Sequence, residues 1–294
     1  MKRYVSLLLL SAYLWSISIT IFLYESWAAG SVGMKWLGTA GWEIRVGDGV
    51  ILIDPFLTRR EAAAGVEWKT NDNEVSSVIT KADFIFAGHS HADHIADIPA
   101  IAKRFGARVF GSRTTTNIAL SAGVDKSRLI TIGGGEKFDF KDFSVQVIES
   151  RHGMLNRGGR RRQAKFAEVL RPWNGPIMGE AFVEGGSYVY YFTFGNLRVL
   201  HQSTGNFIED NLKGLQPAVA ILADNSNYDW ADALKMLRPK TVIIHHYDEW
   251  RTPFADGIPE SNMRRAQRFE RLIKSVDRQI KVIIPELLKP VVLE

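Results

Sequence analysis

From residue 34 onward, apolar and polar positions fall into short blocks punctuated by Gly, Pro, Asn and Asp. In MKWLGTAGWEIRVGDGVILIDPF, Trp42, Ile44 and Val46 alternate with Glu43 and Arg45, the two-residue period of a half-buried strand. The GDG at 47–49 is a hairpin signal, and VILID is then a buried strand ending on Asp54, with Pro55 as its stop. Residues 58–80 are polar and aperiodic and predict a surface loop. Phe84–Ala87 predicts another strand, and a helix is expected from about Asp93 to Phe105. Strand ARVFG, helix TTTNIALSAG, strand RLITI and a hairpin of FDF with FSVQVIES follow. SYVYYFTFGNLRVLH predicts two strands across Gly195-Asn196. The remainder alternates: a helix near 208–213, strand VAIL, helix DWADALKML, strand TVIIHH, helix MRRAQRFERLIKS, strand KVIIP. Only 151–186 breaks the rhythm, being rich in Gly, Arg and Pro. A connection that long is functional or mobile more often than not. Both halves open with β structure and pass into αβ alternation, which predicts one α/β domain of two similar layers.

The first 31 residues differ in kind. Lys2 and Arg3 precede a nearly unbroken apolar run from Tyr4 to Tyr24, and Ala28, Ala29, Gly30 and Ser31 follow. A positive start, an apolar run and a small-residue exit describe a secretory signal, with Ser26 and Ala28 filling the small positions before a cut. The run is also nearly long enough to remain as an uncleaved membrane anchor. The expected organisation is therefore 1–31 as signal or anchor and 32–294 as the domain. Either form predicts export: periplasmic, secreted or anchored to the membrane.

Composition narrows the chemistry. The chain carries a formal charge of +5 and a pI near 9.3, with excess charge at the N-terminus and in RGGRRRQAK at 157–165. No zinc-finger, RNA-recognition or helix-turn-helix cue accompanies it, so nucleic acid is not expected as a partner. There is no cysteine. Thiolate chemistry and cysteine-based zinc sites are excluded, and any metal must be held by histidine and carboxylate.

The seven histidines are His89, His91, His94, His152, His201, His245 and His246. Each lies at or just beyond an apolar run that reads as a strand, where α/β folds gather their ligands. In HSHADH, His89 and His91 are two apart and can point to the same side, sharing an ion. Asp93 and His94 can serve a second one. Neutral imidazole with carboxylate suits zinc, manganese or iron.

HSHADH resembles the His-x-His-x-Asp-His signature of the metallo-β-lactamase superfamily. The resemblance extends over about 34–286: GTAGWEIRVGDGVILIDPF is similar to that superfamily's opening hairpin, and PKTVIIHHYDEW to its closing ligand segment. The branch it resembles most contains ascorbate-6-phosphate lactonase-like and N-acyl-phosphatidylethanolamine phospholipase D-like hydrolases. The resemblance implies a four-layer αββα sandwich. It implies His89, His91 and His152 on a first metal, and Asp93, His94 and His246 on a second. His246 is preferred over His245 because Tyr247 follows it. Asp54 would orient a ligand histidine through its ring N–H.

One departure stands out. Where the superfamily places Gly-Asp, whose carboxylate bridges the metals, LHQSTGNF has Ser203-Thr204. The expectation is one tightly held ion and a second that is weak, differently coordinated or absent, with His201, Asn206 or Asp224 as candidates to compensate. His201 has an equal alternative as a structural histidine.

The implied activity is hydrolysis by a metal-activated water on an ester, lactone or phosphodiester, with Asp93 orienting the nucleophile and taking its proton. Arg157, Arg160, Arg161, Arg162 and Lys165 would suit an anionic small molecule or lipid headgroup, although a solvated basic loop, or one resting on an anionic membrane, explains them as well. Trp173 and Phe182 can wall a pocket or simply pack. The alternatives are a catalytically inactive metal- or ligand-binding protein on the same fold, and a nucleic-acid-processing member, which export disfavours.

Overall fold

The computed structural model describes residues 32–157, 160–163, 166–223, 230–291 and 293. The signal or anchor reading of 1–31 falls outside these residues. Among the described residues no helix is long and apolar enough to cross a membrane.

Strands β1 (Val32–Gly38), β2 (Gly41–Val46) and β3 (Gly49–Ile53) form an antiparallel meander. Helix α1 (Asp72–Val78) precedes β4 (Phe84–Phe86). Helices α2 (Ala92–Ile95) and α3 (Ile98–Phe105), strand β5 (Arg108–Gly111), helix α4 (Arg113–Ser121) and strand β6 (Leu129–Thr131) follow. Strands β3 to β6 pair in parallel. The second half repeats the scheme. Strands β7 (Lys137–Asp139) and β8 (Ser144–Ser150) form an antiparallel pair, and β9 (Met154–Arg157) with β10 (Arg160–Gln163) makes a separate hairpin. Strands β11 (Ser187–Phe194) and β12 (Leu197–Gln202) continue antiparallel. Then β13 (Val219–Ala223), helix α5 (Trp230–Leu237), β14 (Thr241–His245), helix α6 (Glu260–Val276) and β15 (Lys281–Ile283) extend the sheet in parallel from β12. The last strand, β16 (Pro290–Val291), returns to the first sheet beside β1.

The result is two seven-stranded mixed sheets. The alternation along β3 shows how they stack. Ile51 and Ile53 face the second sheet with Trp42 and Phe86, whereas Val50 and Leu52 face the helices α1 to α4 with Ile85 and Val109. Helices α5 and α6 cover the second sheet. This is an α/β sandwich, helix on sheet on sheet on helix. Aromatic side chains join the layers. Phe86 stacks on Phe110 at 4.6 Å and meets Tyr190 and Phe192 edge-on. The Tyr190 hydroxyl donates to Ala87 O at 2.6 Å, and Tyr188 N to Gly88 O at 2.7 Å, pinning the end of β4 to the second sheet.

Three local expectations are corrected. The stretch 58–80 contains α1, capped by the Asn71 side chain, which accepts from Glu74 N. Only Val75 of that helix is buried, so no apolar stripe announces it. The helix expected over 93–105 is two helices, because Asp97 breaks the run to serve another segment. Its carboxylate accepts from Leu57 N, Thr58 N and Thr58 Oγ1 at 2.6–2.8 Å. Among its described residues, the irregular segment 151–186 contains the β9–β10 hairpin and a 3₁₀ turn at Gly179–Ala181.

Candidate metal centre

Parallel strands bring their C-terminal ends to one rim, and every segment of the site leaves from there. Asp54 follows β3, Gly88 and His89 follow β4, His152 follows β8, Ser203 and Thr204 follow β12, and His246 follows β14. The structure brings His89, His91 and His152 together, with one ligating atom from each lying within 4.8 Å of the others. It brings Asp93, His94 and His246 together on the same criterion. Both groups open into one cleft of about 700 Å³.

Hydrogen bonds fix the direction of two of the rings, His94 and His152. His94 gives Nδ1–H to Asp54 Oδ2 at 2.9 Å, leaving Nε2 toward Asp93 Oδ2 at 3.6 Å. Asp54 uses its other oxygen to accept Gly88 N–H at 2.6 Å, so one carboxylate sets both the end of β4 and the ring of His94. Asp54 itself sits at φ 44°, a left-handed conformation that aspartate tolerates better than most residues. His152 donates Nδ1–H to Gly153 O at 2.7 Å, which frees Nε2. His246 Nε2 lies 3.5 Å from Asp93 Oδ2.

His246 is held in the left-handed region at φ 57°, an arrangement that needs support. Its N–H donates to Thr39 O at 2.9 Å, and its carbonyl accepts from Arg265 Nη2 at 3.1 Å. Thr39 is fixed in turn: its N–H donates to Asp248, and its hydroxyl to Asp93 O. The buried Arg59–Asp248 pair, at 2.8 Å, closes the clamp. Gly38, at φ 90°, has no room for a side chain there, since a Cβ would come within 2.5 Å of Arg59 Nη1. Sequence reading missed this clamp. Asp248 stands in the same segment as His246, but Arg59 comes from a stretch with no periodic signal.

The electrostatics favour metal-binding protonation states. Burial, reinforced by the neighbouring histidines, drives His89 well below its ordinary value. Burial lowers His91 as well, and pushes His152 down to about 4. Burial also lowers His246, despite Asp93. Burial opposes the charge of Asp93, yet His94, His246 and His91 outweigh it and hold the carboxyl below its usual range. His94 alone is raised, because Asp93 and Asp54 overcome its burial. His89, His91, His152 and His246 are thus kept neutral beside an ionised carboxylate, as a divalent ion requires of its donors, and an ion bound by His94 would displace the proton favoured there.

The hydrogen bonding of the protein also leaves this set incomplete. His89 Nε2 lies 3.0 Å from His91 Nδ1, while His89 Nδ1 is buried without a partner. No tautomer gives His89 Nδ1 a partner, and two imidazole lone pairs facing each other at 3.0 Å would repel unless a proton or a cation were shared by them. The residues fit a metal.

His201 and His245 do not reach the cleft. His245 donates Nε2–H to Gln202 O at 2.8 Å and accepts Trp42 Nε1–H on Nδ1 at 3.1 Å. His201 donates Nε2–H to Ala40 O at 3.0 Å, with Nδ1 toward Ser203 Oγ at 3.4 Å. Both rings are buried between the sheets with their nitrogens engaged, which corrects the expectation that His201 could compensate for the missing aspartate. Asp224 lies outside the described residues.

Thr204 lines the cleft, but its oxygen accepts Gly153 N–H at 2.9 Å. Asn206 Nδ2 donates to His152 O at 3.2 Å, and its Oδ1 accepts from Phe207 N. The segment 203–206 thus cradles the backbone of His152. Ser203 packs where a Gly88 Cβ would fall, at 1.8 Å. Phe182 and Trp250 supply apolar wall, and Arg265 a positive charge. Trp173 packs on the helix side of the first sheet. Described residues of the basic segment lie in the β9–β10 hairpin, and Gly153, just before β9, lines the cleft.

The family model described as β-lactamase superfamily domain matches residues 33–246. The chain belongs to the metallo-β-lactamase superfamily. A UPF0173 metal-dependent hydrolase of Carboxydothermus hydrogenoformans is 31% identical over 212 residues, covering 70% of this chain and 80% of the relative. The fold is shared with Igni18, a metallo hydrolase of Ignicoccus hospitalis, at TM-score 0.59 and 19% identity, over 90% of this chain and 98% of that one. It is shared also with CmlA, a diiron β-hydroxylase of Streptomyces venezuelae, at TM-score 0.58 and 13% identity, over 90% of this chain and 54% of that one. This member of the superfamily is a metal-dependent hydrolase.

Proposed function

We propose that the protein is an exported hydrolase of an ester, lactone or phosphodiester, with zinc as its ion and a first site tighter than the second. The observation that carries this reading is the single cleft shared by His89, His91 and His152 with Asp93, His94 and His246. A divalent ion held there acidifies water and polarises the bond to be cut. Asp93, kept ionised between His94 and His246, accepts the proton at its carboxylate. Thr204 gives its lone pair to Gly153 N–H and keeps its own proton to donate. Phe182 and Trp250 restrict water and hold the apolar part of the substrate. Thr204 brings no negative charge between the two groups, which supports unequal affinities. The same substitution is what an inactive binding protein on this fold would show, and turnover separates the two. The resemblance to a diiron protein's fold keeps iron as the rival to zinc.

The test is elemental analysis of the purified full chain, alongside turnover of a generic phosphodiester, an aryl ester and a lactone. His91→Ala is expected to lose about one equivalent of metal and all hydrolysis, while the far-ultraviolet dichroism stays unchanged. Undiminished turnover in that variant would sink the assignment. Metal without turnover of any probe would favour the binding-protein reading.

A further inference from the structure

Behind the aromatic wall of the metal cleft lies a second concavity of about 720 Å³. Its floor is apolar, built from Ala100 on α3, Ile118 on α4, and Trp68, Ile177 and Phe182 on two loops. Phe182 is common to both cavities. Its ring meets Trp68 edge-on at 5.8 Å, and Trp68 leans on Phe56 at 6.0 Å. The two loops are stapled together, with Trp68 N donating to Ile177 O at 2.7 Å and Gly179 N to Val66 O at 2.9 Å. The walls are therefore preformed, which lowers the cost of binding.

The rim has the opposite character. Lys69, Lys103 and Arg104 stand around the groove against a single acidic side chain, Asp72. Lys103 also donates to Ala122 O, Arg104 to the Ser76 hydroxyl, and Lys69 faces Glu67. An ammonium has three donors and a guanidinium five, so each cation retains hydrogen-bonding capacity toward a ligand. A sugar would leave the apolar floor unmatched, and a neutral hydrocarbon would leave the rim unused.

We propose that this groove is a second binding site, for an anionic amphiphile whose chain lies on the apolar floor and whose head meets Lys69, Lys103 and Arg104. Its occupant touches from behind the same phenyl ring that walls the metal cleft.

Decanoate, kept below its micellar concentration, is the probe, with 1-decanol as the neutral control. Binding to the full chain is read by calorimetry and by tryptophan fluorescence, for which Trp68 is the local reporter. Saturable, single-site binding of decanoate is expected. Replacing both Lys103→Glu and Arg104→Glu should weaken it at least about tenfold, and Ala100→Trp, which fills the floor, should abolish it. His91→Ala should leave it unchanged. Absence of saturable binding, equal binding of decanol, or loss of binding in His91→Ala would each overturn the proposal, the last by placing the probe in the metal cleft. If Ala100→Trp does not fold, the charge-reversal pair, at positions exposed to solvent, decides.

Discussion

At the scale of single residues, two side chains test the proposal that the two metal positions are unequal. Thr204 lines the cleft without a charge, and its oxygen accepts Gly153 N–H. Thr204→Asp keeps an acceptor for that N–H and adds a charge to the cleft that both groups line. The second equivalent of metal should then bind at least about tenfold more tightly, about 1.4 kcal/mol. Chelator competition measures this, and an unchanged second equivalent would show that charge is not what limits the site. Asp54 acts from behind. Asp54→Asn tolerates the left-handed backbone and keeps the shape, but removes the charge that fixes the His94 tautomer. Loss of such a partner costs about 10–100-fold in metal affinity. That loss should fall on the equivalent served by His94 while the His89, His91 and His152 position keeps its affinity, a pattern competition with a graded chelator series resolves. Equal loss at both positions would contradict the division of labour drawn here.

At the scale of elements, legibility tracked periodicity. Strands β1 to β4 and β11 to β14 are readable because their apolar runs are continuous or strictly alternating. The approach of the histidines to one rim follows from their places at strand ends. Helix α1 is not readable, since one buried valine makes no stripe, and the division of α2 from α3 is hidden because a long-range contact causes it. Nothing near Asp97 in sequence reveals that Leu57 and Thr58 use its carboxylate. The His246 clamp escapes for the same reason, Arg59 and Asp248 being 189 positions apart. The brace at Asp97 can be tested directly. Asp97→Ala leaves a buried and a half-buried backbone donor, Leu57 N and Thr58 N, unpaired and should cost about 2–5 kcal/mol in urea unfolding. Asp97→Asn should cost less than half as much, because a single oxygen, Oδ2, receives both Leu57 N and Thr58 N. Equal costs for the two variants would mean that the site is simply intolerant of change.

At the scale of the whole molecule, the two sheets close on a pair of neutral histidines. His201 and His245 lie edge to face, 5.1 Å apart between the layers, and each donates to a backbone carbonyl. Burial, the largest cause, pushes His201 down from 6.5 to about 4, and pushes His245 well below its ordinary value. Protonation of either ring would leave a charge between apolar sheets. The unfolded chain therefore takes up the proton first as pH falls. The stabilisation is present in full above pH 6.5, drains away between 6.5 and about 4, and is gone below that. For His201 the difference amounts to about 3 kcal/mol at most. His201→Gln retains an amide that can donate to Ala40 O and accept from Ser203, and it does not titrate. With chelator present in both samples, so that metal release does not contribute, the variant should lose stability less steeply through that window, by about 1.4 kcal/mol per pH unit. Urea midpoints at half-unit steps from pH 7.5 to 4 read the slope, and parallel curves for the two proteins would place the acid sensitivity elsewhere. A steeper wild-type curve would mean that the contact between the layers, on which every segment of the metal centre is mounted, depends on keeping these two rings uncharged.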